Sequence, residues 1–109
     1  MPEIISSSGE VKEHLRLKDI LLLYFYNDAC QPCLALRPKV ESLMDRYPEA
    51  KMIYINSEQQ PELNAAFEVF ANPLIVLFVQ GKESRRFSKY VALDQLEEAI
   101  SRPYRIIYS

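Results

Sequence analysis

Thiols are scarce in this sequence: two cysteines in 109 residues, beside a single histidine and no tryptophan at all. A structural zinc site takes about four ligands, so two thiols and the distant His14 leave a set that closes only if two copies share the ion. His14 is read instead as a solvated residue on a surface helix. A broad positive field is also missing, because 13 basic residues face 15 acidic ones for a net charge of -2, and this argues against recruitment of nucleic acid or an acidic membrane. The densest basic run, Lys82 to Lys89, is interrupted by Glu83 and two serines; it reads as a solvated edge strand whose charge discourages aggregation. No apolar run approaches the ~20 residues of a bilayer span, the densest being Ile20 to Tyr26. The stretch Met1 to Glu10 lacks a basic region followed by an apolar core, so no secretory signal is read there and a soluble, cytoplasmic protein is expected. Internal repeats and low-complexity tracts are absent.

What is present suits a single domain spanning 1–109, since cores commonly run to about 100 to 150 residues. With 49% apolar and 26% charged residues the chain can bury a real core. A short strand is expected over Glu3 to Ile5, and Ser7 with Glu10 resembles a capping box opening a helix to about Leu17. The run Ile20 to Tyr26 is continuously apolar or aromatic, the pattern of a strand buried on both faces of a sheet covered by helices. Leu36, Val40, Leu43, Met44 and Tyr47 then form one helical stripe, stopped by Pro48. Lys51 to Asn56 is a further strand, and Pro61 opens a helix whose apolar face is Leu63, Phe67 and Phe70. Two strands, Pro73 to Val79 and Ser84 to Tyr90, are joined by a tight hairpin at Gln80-Gly81, where Gly81 can take the positive φ that primed turns demand. Asp94 and Glu97 are candidate caps of a last helix carrying Leu96, Ala99 and Ile100 and ended by Pro103. The order β-α-β-α-β-α-β-β-α implies an α/β fold with a mixed sheet of about five strands and helices on both faces. The apolar tail, Tyr104 to Ser109, is expected to fold back on the domain, with pairing to a sheet edge or another subunit as the alternative.

Both cysteines stand in the stretch Asn27 to Pro38. Cys30 follows the buried strand and opens the helix, where unpaired amides and the positive end of the helix dipole favour an anion; cysteines so placed titrate below the free value of about 8.5. Cys30 is therefore expected to be the attacking sulfur. Cys33 lies nearly one turn later on the same side, so the two sulfurs can meet, although disulfide geometry is demanding. Pro32 sits in the first turn, where its missing N–H costs nothing.

At this point the sequence resembles the thioredoxin family. The likeness rests on the strand, the C-x-P-C of Cys30 to Cys33 at a helix start, Pro38 five residues on, and the segment Asn72 to Lys82, and it runs from about Ile20 to Ile100. The resemblance implies the thioredoxin fold, with a cis bond at Pro73, and thiol-disulfide exchange on protein disulfides. Cys30 attacks, a mixed disulfide forms, Cys33 resolves it, and a thioredoxin-reductase-type donor restores the dithiol. No cofactor is implied. Asn72, before the proline, is expected to offer main-chain groups to an extended substrate segment, with Pro73, Gln31 and Pro32 as the other substrate-binding candidates.

The chain also departs from the family. Tyr24 stands where a buried aspartate usually helps move the proton of the second cysteine, and a phenol with an ordinary pKa of about 10 is a poor base at neutrality. Met52 is placed near the position of a third-strand lysine. Ala29 replaces the usual tryptophan, with Tyr26 as the upstream aromatic. The glycine before the last helix is replaced within Lys89 to Val91, where bulk would narrow the groove. Neutral Gln31, in place of the histidine of oxidising relatives, implies a moderately reducing pair. A structural disulfide is the bland alternative, yet so short a loop restricts the unfolded chain little. A binding or adaptor module on the same fold, with the cysteines incidental, is the alternative from another class.

Overall fold

The computed structural model describes residues 3–4, 7–88 and 90–108. Nine elements follow in the expected order: β1 (Glu3–Ile4), α1 (Ser8–Leu17), β2 (Ile20–Tyr26), α2 (Gln31–Met44), β3 (Lys51–Asn56), α3 (Pro61–Ala66), β4 (Leu74–Val79), β5 (Lys82–Phe87) and α4 (Leu93–Ile107). The sheet runs β1-β3-β2-β4-β5. Its first three strands are parallel, whereas β4 is antiparallel to both β2 and β5. Four strands are long and β1 is a two-residue edge; Ile5, expected in that strand, lies outside the described residues.

Strand β2 is central, and its side chains alternate between two cores. Ile20, Leu22 and Tyr24 join Met52, Tyr54, Ile75 and Leu77 under α2 and α4, which contribute Cys33, Leu36, Val40, Leu43, Leu96 and Ile100. Leu21, Leu23 and Phe25 join Ile53, Ile55, Val76 and Phe78 on the opposite face, covered by Val11 of α1 and Leu63 of α3. Burial on both faces is what an unbroken apolar run requires. The ends behave as their residues dictate. Ser7 Oγ accepts the Glu10 N–H at 3.3 Å and caps α1. The β4–β5 hairpin turns on Gln80 and Gly81, both at positive φ, the condition of a two-residue primed turn.

Edge strand β5 is exposed from Lys82 to Arg85. Its basic residues are largely engaged: Arg86 pairs with Glu83 at 2.6 Å and donates to the carbonyls of Phe67 and Glu68, and the Arg85 guanidinium lies over the Phe87 ring. Lys89, the end of the basic run, lies outside the described residues.

Five expectations need correction, the first at the hairpin: β5 spans Lys82–Phe87, so Ser88 and Tyr90, expected in that strand, lie beyond it. Helix α2 ends at Met44, and Tyr47 belongs to the turns beyond it, where its ring packs on Tyr104 at 5.1 Å. Helix α3 ends at Ala66; Glu68 at φ 54 breaks the helical phase, so Val69 turns inward and Phe70 outward, 92% exposed. Helix α4 begins after Ala92 with no side-chain cap, and Glu97 serves elsewhere, accepting the Tyr47 hydroxyl at 2.7 Å and Arg46 at 3.0 Å. The same helix passes through Pro103 to Ile107, so Tyr104 to Ile107 is helix and not a strand at a sheet edge. Tertiary packing holds that last turn against the proline: Tyr104 and Ile107 rest on the α2–α4 core, and Tyr104 Oη accepts the Glu49 N–H at 3.1 Å. His14 is half-buried on α1.

Candidate functional site

Strand β2 delivers the chain to the site through a tight turn. Asn27 Oδ1 accepts the Ala29 N–H at 3.0 Å, and the Cys30 N–H donates to the Asn27 carbonyl at 3.3 Å. That turn leaves Cys30 as the N-cap of α2, with Gln31 and Pro32 exposed in the first helical turn. Cys30 and Cys33 are joined as a disulfide, their Cα atoms 5.3 Å apart. The Cys33 N–H donates to Cys30 Sγ at 3.1 Å, so a free helix-terminal amide is spent on this sulfur. Cys30 is 8% exposed and Cys33 3%, so little of either residue is open.

The register of the sheet brings the second half of the site alongside. Phe25 lies opposite Leu74, so the chain leaving β2 for Cys30 passes beside Pro73, whose bond to Asn72 is cis. Ser57, just beyond β3, links these parts: its N–H donates to the Tyr26 carbonyl at 2.7 Å and its hydroxyl to Asn72 Oδ1 at 2.9 Å. Asn56 Nδ2 reaches Asp28 Oδ1 at 3.3 Å. Beyond Asn72 and Pro73 an apolar groove of about 360 Å³ continues between Phe70 and Tyr90; Tyr90 is 84% exposed. A larger recess of about 590 Å³, bounded by Lys18, Glu41, Met44 and Lys51, reaches the opposite end of β3 and contains no cysteine.

Beneath the pair lies a phenolic layer. Tyr24, 1% exposed, donates its hydroxyl to the Cys33 carbonyl at 2.7 Å. Burial pushes its pKa up to about 12, with nearby Arg37 opposing, so it is fully protonated at neutrality and cannot accept a proton from Cys33. Tyr54 sits directly opposite Tyr24 in the β2–β3 register, its ring edge-on at 5.2 Å. Met52 pairs instead with Leu22. The residue directly opposite Tyr24 on β3 is therefore Tyr54. Tyr54 donates its hydroxyl to Glu41 Oε2, and the Arg37 guanidinium lies 4.2 Å from its ring centre. Burial, first, and the bond to Glu41 raise its pKa as well.

The structure thus gathers Cys30, Cys33, Gln31, Pro32, Asn72 and Pro73 at one end of the sheet. Sequence reasoning passed over Tyr54, Ser57 and the Phe70–Tyr90 groove. The polar pair Asn56-Ser57 directly after a buried strand was the available signal for the second; Tyr54 needed the strand register. Of Lys89 to Val91, where replacement of a glycine was expected to narrow the groove, Lys89 lies outside the described residues and Tyr90 lines the groove beside Asn72 and Pro73. Among the described residues no three His, Cys, Asp or Glu side chains are grouped to hold a metal ion, and no helix is long and apolar enough to cross a membrane.

Comparison with known proteins agrees with this geometry. The Thioredoxin family profile matches residues 4–102. Thioredoxin-like protein YdfQ of Bacillus subtilis is 29% identical over 103 residues, 94% of this chain and 88% of that protein. Mitochondrial thioredoxin-2 of Schizosaccharomyces pombe is 29% identical over 82 residues, which are 75% of this chain and 62% of that one. Among solved structures, a mutant thioredoxin from Halobacterium salinarum superimposes with a TM-score of 0.84 at 28% identity, covering 92% of this chain and 88% of that one.

Proposed function

The chain belongs to the thioredoxin family and carries its thiol-disulfide oxidoreductase pair, and from that premise we propose that it reduces protein disulfides through a Cys30/Cys33 cycle. The observation that supports this most is the helix-terminal N–H of Cys33 aimed at Cys30 Sγ. In the reduced protein the same amide and the helix dipole favour a Cys30 thiolate. That thiolate attacks one sulfur of a substrate disulfide; the substrate S–S bond breaks and its other sulfur leaves with the electron pair and takes up a proton. Cys33 then attacks Cys30 Sγ, releasing the second substrate sulfur as a thiol and leaving Cys30 and Cys33 oxidised. Two electrons have passed to the substrate, and a thioredoxin-reductase-type donor returns them.

Asn72 and Pro73 bind the extended substrate segment main chain to main chain, with Gln31 and Pro32 exposed on the other side of the sulfurs. The reading includes a role in cytoplasmic electron transport and redox homeostasis. It also takes the protein as a monomer, since Tyr104, Ile107 and Tyr108 pack on their own core and are not left to pair with a second copy.

Insulin reduction with a dithiol as electron source tests the proposal. Wild type should accelerate precipitation of the insulin chains and Cys30→Ser should abolish the acceleration. A wild type no faster than buffer would instead favour an adaptor module that uses the groove without exchanging electrons.

A further inference from the structure

Resolution asks more of geometry than attack does. Cys33 Sγ must approach Cys30 Sγ in line with the departing substrate sulfur, from a helical turn at the end of α2 where backbone bonds are fewest. The proline at position 38 weakens the turn further, because it removes the N–H that the Leu34 carbonyl would accept. Something outside the helix has to hold Cys33.

We propose that Tyr24 is the positioning residue of the resolving cysteine: its buried hydroxyl grips the Cys33 carbonyl from the sheet and keeps Sγ aligned with the mixed disulfide. The 2.7 Å bond is the direct observation. Tyr24 is itself braced, its ring edge-on to Tyr54, whose hydroxyl is bonded to Glu41 and whose face is covered by Arg37. Cys33, Arg37 and Glu41 lie at i, i+4 and i+8, one stripe of α2. The sheet therefore ties the helix on both sides of Pro38, at points roughly 12 Å apart along its axis, and only the Tyr24 tie reaches a redox residue. At the position where the family resemblance puts a carboxylate that accepts a proton, this chain has a donor that anchors the backbone. In the step itself the Cys33 thiol releases its proton to solvent and its sulfur bonds to Cys30 Sγ. The Cys30–substrate bond breaks and the substrate sulfur leaves with the electron pair and is protonated from solvent.

The inference rests on Cys30 attacking first and Cys33 resolving, so its test has to separate the two steps. Reduced protein in excess over dithionitrobenzoate releases one coloured thiolate when Cys30 attacks, in a concentration-dependent phase, and a second when Cys33 resolves, in a concentration-independent one. Tyr24→Phe should keep the first rate within about twofold of wild type and slow the second by about three- to tenfold, the scale of one buried hydrogen bond. Tyr54→Phe, which keeps the ring packed edge-on against Tyr24 and loses only a hydroxyl with no bond to Cys33, should keep both within about twofold. An unchanged second phase in Tyr24→Phe, or equal slowing of both phases, overturns the proposal. Loss of the second phase to the same extent in Tyr54→Phe overturns it too. If Tyr24→Phe does not fold, wild type labelled at the Cys33 carbonyl decides by NMR: the coupling to the Tyr24 hydroxyl must persist in the reduced protein and in the Cys30 mixed disulfide. A wild type with no fast first phase sinks the cycle itself, an outcome separate from these.

Discussion

The two faces of the sheet are built from the same strands and do different work. Toward α1 and α3 the core cluster is apolar: Leu21, Leu23, Phe25, Ile53, Ile55, Val76 and Phe78 close on Val11, Leu63 and Val69, with the Phe67 ring tilted against Phe25 and edge-on to Phe78. Toward α2 and α4 the same strands present Tyr24 and Tyr54, and both cysteines lie in that core. Three hydroxyls there have defined partners: Tyr24 on Cys33, Tyr54 on Glu41 and Tyr47 on Glu97. A buried donor left unpaired costs about 1–3 kcal/mol, so a face that holds phenols must specify where each one goes. The dry face specifies only volume. One supplies cohesion without direction and the other holds sulfur in a particular place.

Truncation on the dry side is the sharpest way to test that division. Leu23→Ala removes a fully buried side chain and should lower unfolding free energy by about 2–5 kcal/mol, the usual cost of such a cavity, measured by urea denaturation of the oxidised protein. Equilibration of the folded variant in glutathione buffers should return the wild-type position of the Cys30/Cys33 couple. A displaced couple would break the comparison, because strain from the dry face would then be reaching the sulfurs through β2.

Alkali should strike the other face. Folding keeps the Tyr24 phenol neutral, moving its pKa from 10.0 to about 12. A raised value in the folded state means that its contribution is intact below pH ~10, where the phenol is protonated folded or unfolded, and is lost as pH climbs through the folded value. With each unit worth about 1.4 kcal/mol, the loss comes to about 3 kcal/mol by pH ~12. Tyr54 shifts in the same direction and steepens the fall. Stability measured against pH should therefore be flat from 7 to about 10 and drop beyond it. Leu23→Ala should run parallel to wild type at lower stability, and Tyr24→Phe should lose part of the slope. A slope unchanged in Tyr24→Phe would place the alkaline weakness elsewhere.

Much of this division was legible in the residues themselves. The unbroken run Ile20 to Tyr26 has to be covered on both sides, and the cysteine pair after it has to cap a helix; both needed only local rules, and both hold. Which residue sits beside Tyr24 depends on strand register, a long-range quantity that no window of sequence contains, and so Tyr54 was passed over. Helix α4 was cut at Pro103 because propensity counts a lost N–H and a ring clash. It runs on because Tyr104 and Ile107 gain packing and a bond to Glu49 that outweigh them. Phe70 was assigned inward by helical phase, and the positive φ at Glu68 reversed it.

That reversal leads to the smallest expected effect. Phe70 and Tyr90 belong to neither core, yet they flank the groove that continues from Asn72 and Pro73, and exposed aromatic side chains at a groove mark contact with a partner more often than they serve the fold. With Ala29 where the family resemblance puts a tryptophan, Phe70 and Tyr90 are the exposed aromatics beside Asn72 and Pro73. Phe70→Ala should leave unfolding free energy within about 0.5 kcal/mol of wild type, as surface changes generally do. It should raise KM for insulin about three- to tenfold, the loss of one apolar anchor of modest worth, with kcat unchanged. Dithionitrobenzoate, too small to span sulfur and groove together, should react at the wild-type rate. Equal losses on both substrates would mean that Phe70 acts on the sulfurs through the loop carrying Pro73, and the groove would no longer be separable from the face that holds them.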